Sequence, residues 1–399
     1  MPEKKKAVVP RLRFPEFRNA GPWEVKQLGE VVSIANGLSV VQNNEPPGIK
    51  VTRIETISDG FVNITKVGYI KSLDDIESYK LQVGDILFSH INSLDHIGKC
   101  AFVDQPFDLY HGMNLLRFQV HKRDSVPKFI YYVVCSEPFR SSIRSRANQA
   151  VNQASINQTE VGRSRIALPP FLEQQKIADC LSSLDELIEL EAKKLEALQA
   201  HKKGLMQQLF PREGETTPRL RFPEFRDAGP WEVKRLGEIC AIKNGSSNAQ
   251  DHTENGSYPL FDRSEVIKKS NRYLYDCEAV IIPGEGATFT PRYYRGKFDL
   301  HQRAYALMGF RANARFVGYQ IEAFKNLLVS QAVSSTVLSL RMPILERFTI
   351  LLPTGVEQQK IADCLSSLDE LIELEAKKLK ALQAHKKGLM QQLFPQEVG

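Results

Sequence analysis

Apolar residues recur every three or four positions along two long stretches of the chain. In the first stretch the series consists of Ile177, Leu181, Leu184, Ile188, Leu195, Leu198, Leu205 and Leu209. Glu191 and Lys202 interrupt this series, and four heptads of this kind predict a coiled-coil helix. Prolines precede the stretch at Pro169–Pro170 and follow it at Pro211, as expected at the ends of a helix. At a rise of 1.5 Å per residue, the predicted helix is about 58 Å long.

The second stretch is nearly a copy of the first. Glu173–Pro211 and Glu357–Pro395 agree at 38 of 39 positions and differ only as Glu196 against Lys380. Both copies carry the same narrow apolar stripe, which favours pairing of the two helices over packing of each helix on its own domain. Two equivalent helices in one chain pair most simply antiparallel, about a pseudo-twofold axis. The two outer faces would then be equal surfaces, suited to two copies of one partner.

The predicted register places each interrupting charge opposite a charge of the other sign. Its pairs are Leu195 with Leu382, Leu198 with Leu379, Glu191 with Lys386 and Lys202 with Glu375. The residues predicted to line the seam of the coiled coil are Leu184, Ile188, Glu191, Leu195, Leu198, Lys202, Leu205, Leu368, Ile372, Glu375, Leu379, Leu382, Lys386 and Leu389.

A second, shorter repeat opens each half of the chain. Pro10–Gly37 and Pro218–Gly245 match at 22 of 28 positions. Between the repeats lie residues 38–172 and 246–356, which differ from each other and which we call the first and second variable domains. The predicted organisation is a leader with the first variable domain over 10–172, a first long helix over 173–211, a linker over 212–217, a leader with the second variable domain over 218–356, and a second long helix over 357–395.

Both variable domains alternate apolar and polar residues in short runs separated by turn residues. Ile49–Ile57, Leu115–Val120 and Ala304–Phe310 are typical of antiparallel strands, and Lys128–Arg144 and Phe316–Ser330 are typical of helices. The predicted fold class is therefore α+β. Two domains of mainly antiparallel sheet with helices are expected to be separated by a long antiparallel two-helix coiled coil with pseudo-twofold symmetry.

Composition permits nucleic-acid binding and argues against several other classes. The 399 residues include 53 Lys and Arg against 47 Asp and Glu, a net charge of +6. The six cysteines form no CxxC pair, and no His/Cys cluster has zinc spacing, so we expect reduced thiols, a cytoplasmic setting and no metal site. No run of about eighteen apolar residues predicts a membrane span. The lysines near the N-terminus precede no apolar run, so no secretion signal is expected.

Amide and basic side chains cluster in both variable domains. Asn and Gln can make paired hydrogen bonds to adenine in the major groove, and Arg can do so to guanine. The candidate DNA contacts are Asn92, Lys99, Arg144, Arg146, Asn148, Gln149, Asn152 and Gln153 in the first domain, and Arg263, Arg272, Arg292, Tyr293, Arg295, Gln302, Arg303 and Thr336 in the second. An ordinary polar surface loop would explain the first cluster as well as DNA contact does, and an ordinary strand surface would explain the second as well. Aligned through Pro169 and Pro353, Ser155 falls on Ser339, and Asn152 falls on Thr336.

Motifs that would indicate catalysis are incomplete. Glu24-Val-Lys26 and its copy Glu232-Val-Lys234 resemble part of a nuclease motif, but the expected Asp is Glu. Gly284-Glu-Gly286 lacks the third glycine of a dinucleotide loop and predicts a turn. No GxxxxGK[ST] occurs, and Leu168-Pro-Pro-Phe171 lacks the amide of an adenine methyltransferase motif. We therefore expect no catalytic residue in this chain.

Across nearly its whole length the chain resembles the specificity subunits of type I restriction–modification systems. The resemblance rests on Ala167–Phe210 and its copy, supported by Trp23–Lys26, Arg53–Ile57 and Gly84–Phe88. It implies that each variable domain is a target-recognition domain reading one half of an interrupted, asymmetric DNA site. It also implies that the helices set the distance between the domains and dock two methyltransferase subunits. S-adenosylmethionine, ATP and Mg²⁺ would belong to those subunits and to motor/nuclease subunits, and this chain would bind no cofactor.

One departure from the resemblance separates the two domains. The second has Asp276–Pro283 where the first has the Gly-Asp-Ile-Leu tract, so we expect the two domains to belong to different recognition classes, and base preferences cannot be transferred. Two other functions remain open at this point, a two-headed protein adaptor and a standalone nuclease or methyltransferase. Binding that weakens steeply with salt would favour DNA over the adaptor. Activity of the chain alone with Mg²⁺ and S-adenosylmethionine would favour an enzyme.

Overall fold

The computed structural model describes residues 8–71, 75–150, 153–333 and 337–396. These fall into two compact units, residues 8–191 with 378–396, and residues 192–377. Each unit contains one variable domain, the beginning of one long helix and the end of the other. The units therefore differ from the linear order of domains predicted from the repeats, because each long helix is shared between them.

The first unit is built on a four-stranded antiparallel sheet that contains, in spatial order, β2 (Val32–Asn36), β8 (Leu115–Val120), β5 (Ile86–Ser89) and β7 (Cys100–Phe102). Helix α2 (Pro127–Cys135) packs on β7 and β8, and buried aromatic rings such as Phe88, Phe118 and Phe129 fill the core. The strands of this half are β1 (Glu24–Gln27), β2 (Val32–Asn36), β3 (Ile49–Val51), β4 (Gly68–Ile70), β5 (Ile86–Ser89), β6 (Ile91–Asn92), β7 (Cys100–Phe102), β8 (Leu115–Val120), β9 (Asn148–Ala150), β10 (Gln153–Ser155) and β11 (Arg165–Leu168). The helices are α1 (Leu28–Val31), α2 (Pro127–Cys135), α3 (Glu137–Arg146), α4 (Gln158–Gly162) and α5 (Phe171–Leu209).

The second unit is built on a six-stranded sheet that contains, in spatial order, β13 (Ala241–Asn244), β18 (Ala304–Met308), β16 (Tyr275–Pro283), β17 (Arg292–Leu300), β14 (Tyr258–Phe261) and β15 (Lys268–Ser270). Helix α7 (Ala314–Ala323) packs on β16 and β17, and the Asn313 side chain caps it by accepting a hydrogen bond from the Phe316 backbone N–H. The strands are β12 (Glu232–Arg235), β13 (Ala241–Asn244), β14 (Tyr258–Phe261), β15 (Lys268–Ser270), β16 (Tyr275–Pro283), β17 (Arg292–Leu300), β18 (Ala304–Met308) and β19 (Thr349–Leu352). The helices are α6 (Leu236–Ile239), α7 (Ala314–Ala323), α8 (Lys325–Gln331), α9 (Met342–Arg347) and α10 (Gly355–Leu393).

The two variable domains share a three-stranded core although their sequences differ. In the first, β8 pairs with β2 and β5, and in the second β18 pairs with β13 and β16 in the matching register. Ile86 faces Phe118 in the first domain as Val280 faces Leu307 in the second. Apolar residues at matching positions are enough to specify the same sheet, since register follows the face that is buried. The predicted α+β class is confirmed.

The repeated leader fastens the ends of the long helices within each unit. The Arg13 guanidinium forms two hydrogen bonds to the buried Glu173 carboxylate near the start of α5, at 2.7 and 2.6 Å, while the backbone N–H of the preceding residue donates to the carbonyl of Gln392 on α10. Arg221 binds the buried Glu357 carboxylate in the same way, with both distances 2.7 Å. Both copies of the Arg-Leu-Arg-Phe motif therefore make the same bidentate contact to a buried carboxylate.

Ion pairs show that the long helices run antiparallel, as predicted. In the first unit Asp185 contacts Lys386 and Glu191 contacts Lys378. Residue numbers on α10 therefore decrease as residue numbers on α5 increase. In the second unit Glu375 contacts Lys194, and Lys202 contacts Asp369. All fourteen residues predicted to line the seam are buried or half-buried.

The predicted register of the charged residues was wrong. Glu191 was expected opposite Lys386, but it pairs with Lys378, eight positions earlier on the partner helix. Lys202 was likewise expected opposite Glu375 and instead contacts Asp369. The repeat supplies lysines and carboxylates about one heptad apart, so more than one register pairs opposite charges.

Candidate DNA interface

A three-stranded sheet, β6-β10-β9, places the polar tract of the first variable domain. Ser155 on β10 pairs with Ile91 on one side and with Asn148 on the other. The Asn157 side chain caps the start of α4 by accepting a hydrogen bond from Glu160 N–H, and the strand β10 ends just before this cap. A hairpin is therefore fixed against β6 at one edge, and its outer strand, β9, is exposed along its whole length.

The second variable domain places an equivalent hairpin at the matching position. Ser339 pairs with Glu285 and with Val333, as Ser155 pairs with β6 and β9 in the first domain. The carbonyl of Gly284 accepts from Leu340 N–H, and the first domain has the same bond between His90 and Ile156. These pairings confirm the alignment of Ser155 with Ser339. Of the predicted contacts, Asn152 and Thr336 lie outside the described residues.

The structure places the amide side chains of the first domain on one small sheet. Asn148, Gln149 and Gln153 are exposed on β9 and β10. Asn92 lies on the adjoining β6, where its side chain donates to the Ser89 hydroxyl and accepts from the backbone N–H of the next residue. The strand register puts Asn148 and Gln153 on one face of this small sheet, and Gln149 on the other face with Asn92. The hairpin therefore presents amide donors and acceptors on both faces, and such groups can pair with base edges.

The predicted basic residues of the first domain are engaged in the fold. Arg146 donates to the carbonyl of Glu160 at 2.9 Å and to the Ser164 hydroxyl at 2.6 Å, which holds the end of α3 to α4. Arg144 pairs with Glu137 on its own helix. Lys99 donates to a backbone carbonyl at 3.3 Å. These side chains brace the segments that carry the hairpin, so the structure gives them a supporting position.

In the second domain a carboxylate gathers two of the predicted arginines. Glu285, which pairs with the hairpin, lies 2.5 Å from Arg303 and 3.8 Å from Arg263, and both arginine side chains are more than half exposed. Gln302 precedes Arg303 and donates to Asn248 at 2.7 Å. Two oriented guanidinium groups therefore flank this hairpin, where the first domain has amides.

The remaining candidates of the second domain do not join this group. Arg272 binds the Ser247 hydroxyl at 2.7 Å and the buried Asp299 at 3.3 Å, and Arg292 donates to a backbone carbonyl at 2.9 Å. Tyr293 donates to Glu278 at 2.7 Å, and its ring lies 4.5 Å from the Arg315 guanidinium on α7. Arg295 is exposed on β17. Basic residues interleaved with tyrosines therefore belong largely to the sheet and its helix.

Glu285 was missed because the sequence indicated only a turn there. Gly284 is required by a close approach, since a Cβ at this position would lie 2.5 Å from the carbonyl oxygen of Arg303. Gly286 has a φ of +135°, which favours glycine. The pattern that could have indicated Glu285 in the sequence is an acidic residue between two glycines in a domain whose neighbouring segments are basic.

Burial keeps the nearby histidine uncharged. His90 immediately precedes β6, and burial lowers its pKa to about 4. Burial also lowers the pKa of His111 to about 4, with a further contribution from the positive charge of Arg117. Neither histidine supplies positive charge to the hairpin at neutral pH.

The residues considered as catalytic or metal sites have structural partners. Glu24 and Lys26 form an ion pair on β1 at 3.2 Å, and Glu232 and Lys234 do so on β12 at 2.5 Å. Among the described residues, no group of three or more His, Cys, Asp or Glu side chains is placed to hold a metal ion. Within the same part of the chain, no helix is both long and apolar enough to span a membrane.

Comparison with known proteins gives a consistent family. Residues 21–200 and 229–384 match the family described as "Type I restriction modification DNA specificity domain". The chain is 33% identical over 395 residues to the MjaX type I restriction enzyme specificity subunit of Methanocaldococcus jannaschii, covering 93% of this chain and 92% of that protein. It is 26% identical to the MjaVIII specificity subunit of the same organism, covering 96% and 93%.

A solved structure shows the same fold at lower sequence identity. The type I restriction–modification S subunit from M. genitalium superposes with a TM-score of 0.66 at 17% identity, covering 97% of this chain and 99% of that one. Specificity subunits are the non-catalytic, DNA-recognising components of these systems. The matched residues span most of both halves, and the chain therefore belongs to the type I restriction–modification DNA specificity subunit family.

Proposed function

We propose that this chain reads a bipartite, asymmetric site in double-stranded DNA, one half-site with each variable domain. The observation that carries the proposal is the shared hairpin. In two domains of different sequence it pairs with the segment that follows a strand of the shared core, through Ser155 and β6 in one and through Ser339 and Glu285 in the other. A constant scaffold with different exposed side chains is what reading two different half-sites requires.

The exposed groups of the two hairpins suit different bases. The first offers amides, including Gln149 and Gln153, whose paired donor and acceptor match adenine. The second has Arg263 and Arg303 beside Glu285, and guanidinium groups match guanine or phosphate. The two half-sites are therefore expected to differ, which makes the complete site asymmetric.

Exposed leucines on the long helices support docking of two methyltransferase subunits. Leu187 and Leu190 on α5 are 39% and 63% exposed, and the equivalent Leu371 and Leu374 on α10 are 37% and 62% exposed. Equal apolar surfaces on two copies of one segment suit two copies of one partner. In this proposal the methyltransferase subunits bring S-adenosylmethionine, and motor/nuclease subunits with ATP and Mg²⁺ complete the restriction complex.

Exchange of one variable domain tests the proposal. Residues 246–356 would be replaced by the corresponding domain of another family member, and the chain would be expressed with its methyltransferase partner. Sequencing of methylated adenines in the host should show one half-site changed and the other retained. The reciprocal exchange of residues 38–172 is the control and should change the other half-site. Changes in both half-sites, or in neither, would refute reading by separate domains.

Substitutions in the first hairpin test which groups read the bases. Gln149→Ala and Gln153→Ala should each weaken binding to the recognised site by about 1–3 kcal/mol if the amide makes a base contact. Binding to unrelated DNA should be unchanged, because phosphate contacts supply that affinity. Gln105→Ala is the control, since Gln105 is exposed in the same domain, follows β7 in the chain and belongs to none of the strands β6, β9 and β10. Full affinity and specificity in both hairpin variants would remove these residues from the interface.

A further inference from the structure

A tyrosine on the first helix following the shared core of each variable domain reaches a long helix. Tyr132 on α2 donates a hydrogen bond to Asp185 on α5 at 2.7 Å. Tyr319 on α7 donates to Asp369 on α10 at 2.6 Å. The two aspartates are equivalent positions of the long repeat, whereas the tyrosines belong to domains of different sequence. Duplication of the helices therefore explains the aspartates but not the tyrosines.

A lysine from the other long helix completes each group. Lys386 on α10 binds Asp185, and its ammonium nitrogen lies 5.5 Å from the centre of the Tyr132 ring. Lys202 on α5 lies 2.6 Å from Asp369 and 5.1 Å from the Tyr319 ring. Each Tyr–Asp–Lys cluster thus joins three elements inside one unit, namely a helix of the variable domain and a segment of each long helix.

The chemistry of the cluster makes the contact directional. Burial and the neighbouring carboxylates raise the pKa of Tyr132 and of Tyr319 well above the usual range, so both hydroxyls keep their protons and donate. The start of each domain helix is also held, because Gln174 of α5 accepts a hydrogen bond from Val126 N–H and Gln358 of α10 accepts one from Asn313 N–H. Beyond these bonds the attachment includes apolar packing, in which Ile177 and Leu181 of α5 join the same core as α2. Apolar packing depends on buried area and has little directional preference, whereas a hydrogen bond to a carboxylate fixes both distance and angle.

We propose that Tyr132 and Tyr319 are positioning residues that fix how each target-recognition domain sits on the helix pair, and so set which spacing between half-sites the complex accepts. This inference rests on the bipartite reading proposed above. The helices are nearly identical in sequence while the domains differ, so the attachment must use a feature that any domain can supply. One hydroxyl aimed at a constant aspartate meets that need. A domain transplanted onto this frame should therefore carry a donor at the matching helix position.

The experiment compares spacer preference in the assembled methyltransferase complex. The recognised site is first read from the adenines methylated in a host expressing the wild-type chain. Binding is then measured to duplexes with the native spacer and with one base pair added or removed. The double variant Tyr132→Phe with Tyr319→Phe should bind the native spacer nearly as well as wild type, while its preference over the altered spacers should fall by about tenfold.

Two further variants separate positioning from folding. Tyr131→Phe removes a hydroxyl from the same helix and leaves the Tyr132–Asp185 bond in place, so it should keep the wild-type spacer preference. If the double tyrosine variant does not fold, Asp185→Asn with Asp369→Asn keeps an amide acceptor for each tyrosine. It weakens the charge-assisted hydrogen bonds and also removes the ion pairs with Lys386 and Lys202, and it should lower the preference part of the way.

The possible results are distinct. A lower melting temperature with an unchanged spacer preference would show that the tyrosines only stabilise the fold, and it would overturn the inference. An unchanged preference in the folded asparagine variant would do the same when the tyrosine variant cannot be assembled. Failure of the proposed function gives a different result, in which the wild-type complex itself shows no preference among the spacers.

Discussion

The contact between Glu191 and Lys378 allows a direct test of how the long helices are aligned. Glu191 lies near the middle of α5 and is only 7% exposed, and the Lys378 ammonium donates to its carboxylate at 2.5 Å. The Lys378 side chain is 49% exposed. Glu191→Lys would place a second ammonium group beside the first. The helices should then repel each other at the point where they are now joined.

The expected magnitude lies between two limits. An ion pair on the surface contributes under about 1 kcal/mol, whereas loss of one member of a buried pair costs about 3–5 kcal/mol. Because the carboxylate of Glu191 is buried and the ammonium of Lys378 is half exposed, we expect Glu191→Lys to lower the free energy of unfolding by about 2 kcal/mol. Adding Lys378→Glu restores opposite charges in the observed register and should recover at least half of the loss.

The control distinguishes the observed alignment from the one indicated by the sequence. Lys386→Glu would rescue Glu191→Lys if the helices were aligned as the sequence indicates. In the structure Lys386 binds Asp185, so this change should destabilise the chain further. Urea unfolding followed by circular dichroism at 222 nm compares the variants. Rescue by Lys386→Glu, or no rescue by Lys378→Glu, would refute the structural reasoning.

Two further predictions concern buried ionisable groups. Arg221→Met should lower the free energy of unfolding by about 3–5 kcal/mol, because it leaves the fully buried Glu357 carboxylate without its bidentate partner. The control Lys360→Met breaks an exposed ion pair and should lower the free energy of unfolding by under about 1 kcal/mol in the same urea assay. The second concerns His90 and His111, whose pKa values near 4 lie below the ordinary 6.5. As the pH falls below about 6.5, the unfolded chain takes up protons that the folded chain does not, so stability should fall by about 1 kcal/mol for each histidine between pH 7 and 5.5. Urea unfolding across this range measures the loss, and a constant free energy of unfolding would contradict it.

The sequence by itself determined the parts of this protein that depend on local pattern and on repetition. The heptad series indicates the long helices, and the structure has them at Phe171–Leu209 and Gly355–Leu393. The repeats give the two-domain organisation, and alignment through the equivalent Pro169 and Pro353 is enough to match Ser155 with Ser339. These features follow from residues close together in the chain, or from copies of one segment, so no knowledge of distant contacts is needed.

Only the tertiary structure decided which charged residues meet. Glu191 pairs with Lys378 and not Lys386, because similar residues recur about every heptad and local pattern does not choose between them. Arg146 and Tyr293 form hydrogen bonds within their own domains. Glu285, which the sequence did not single out, forms ion pairs with two arginines. Each of these outcomes depends on partners brought close by folding, through backbone carbonyls, buried carboxylates and packed rings. Side chains with the same composition and spacing therefore take different roles according to what the fold places beside them.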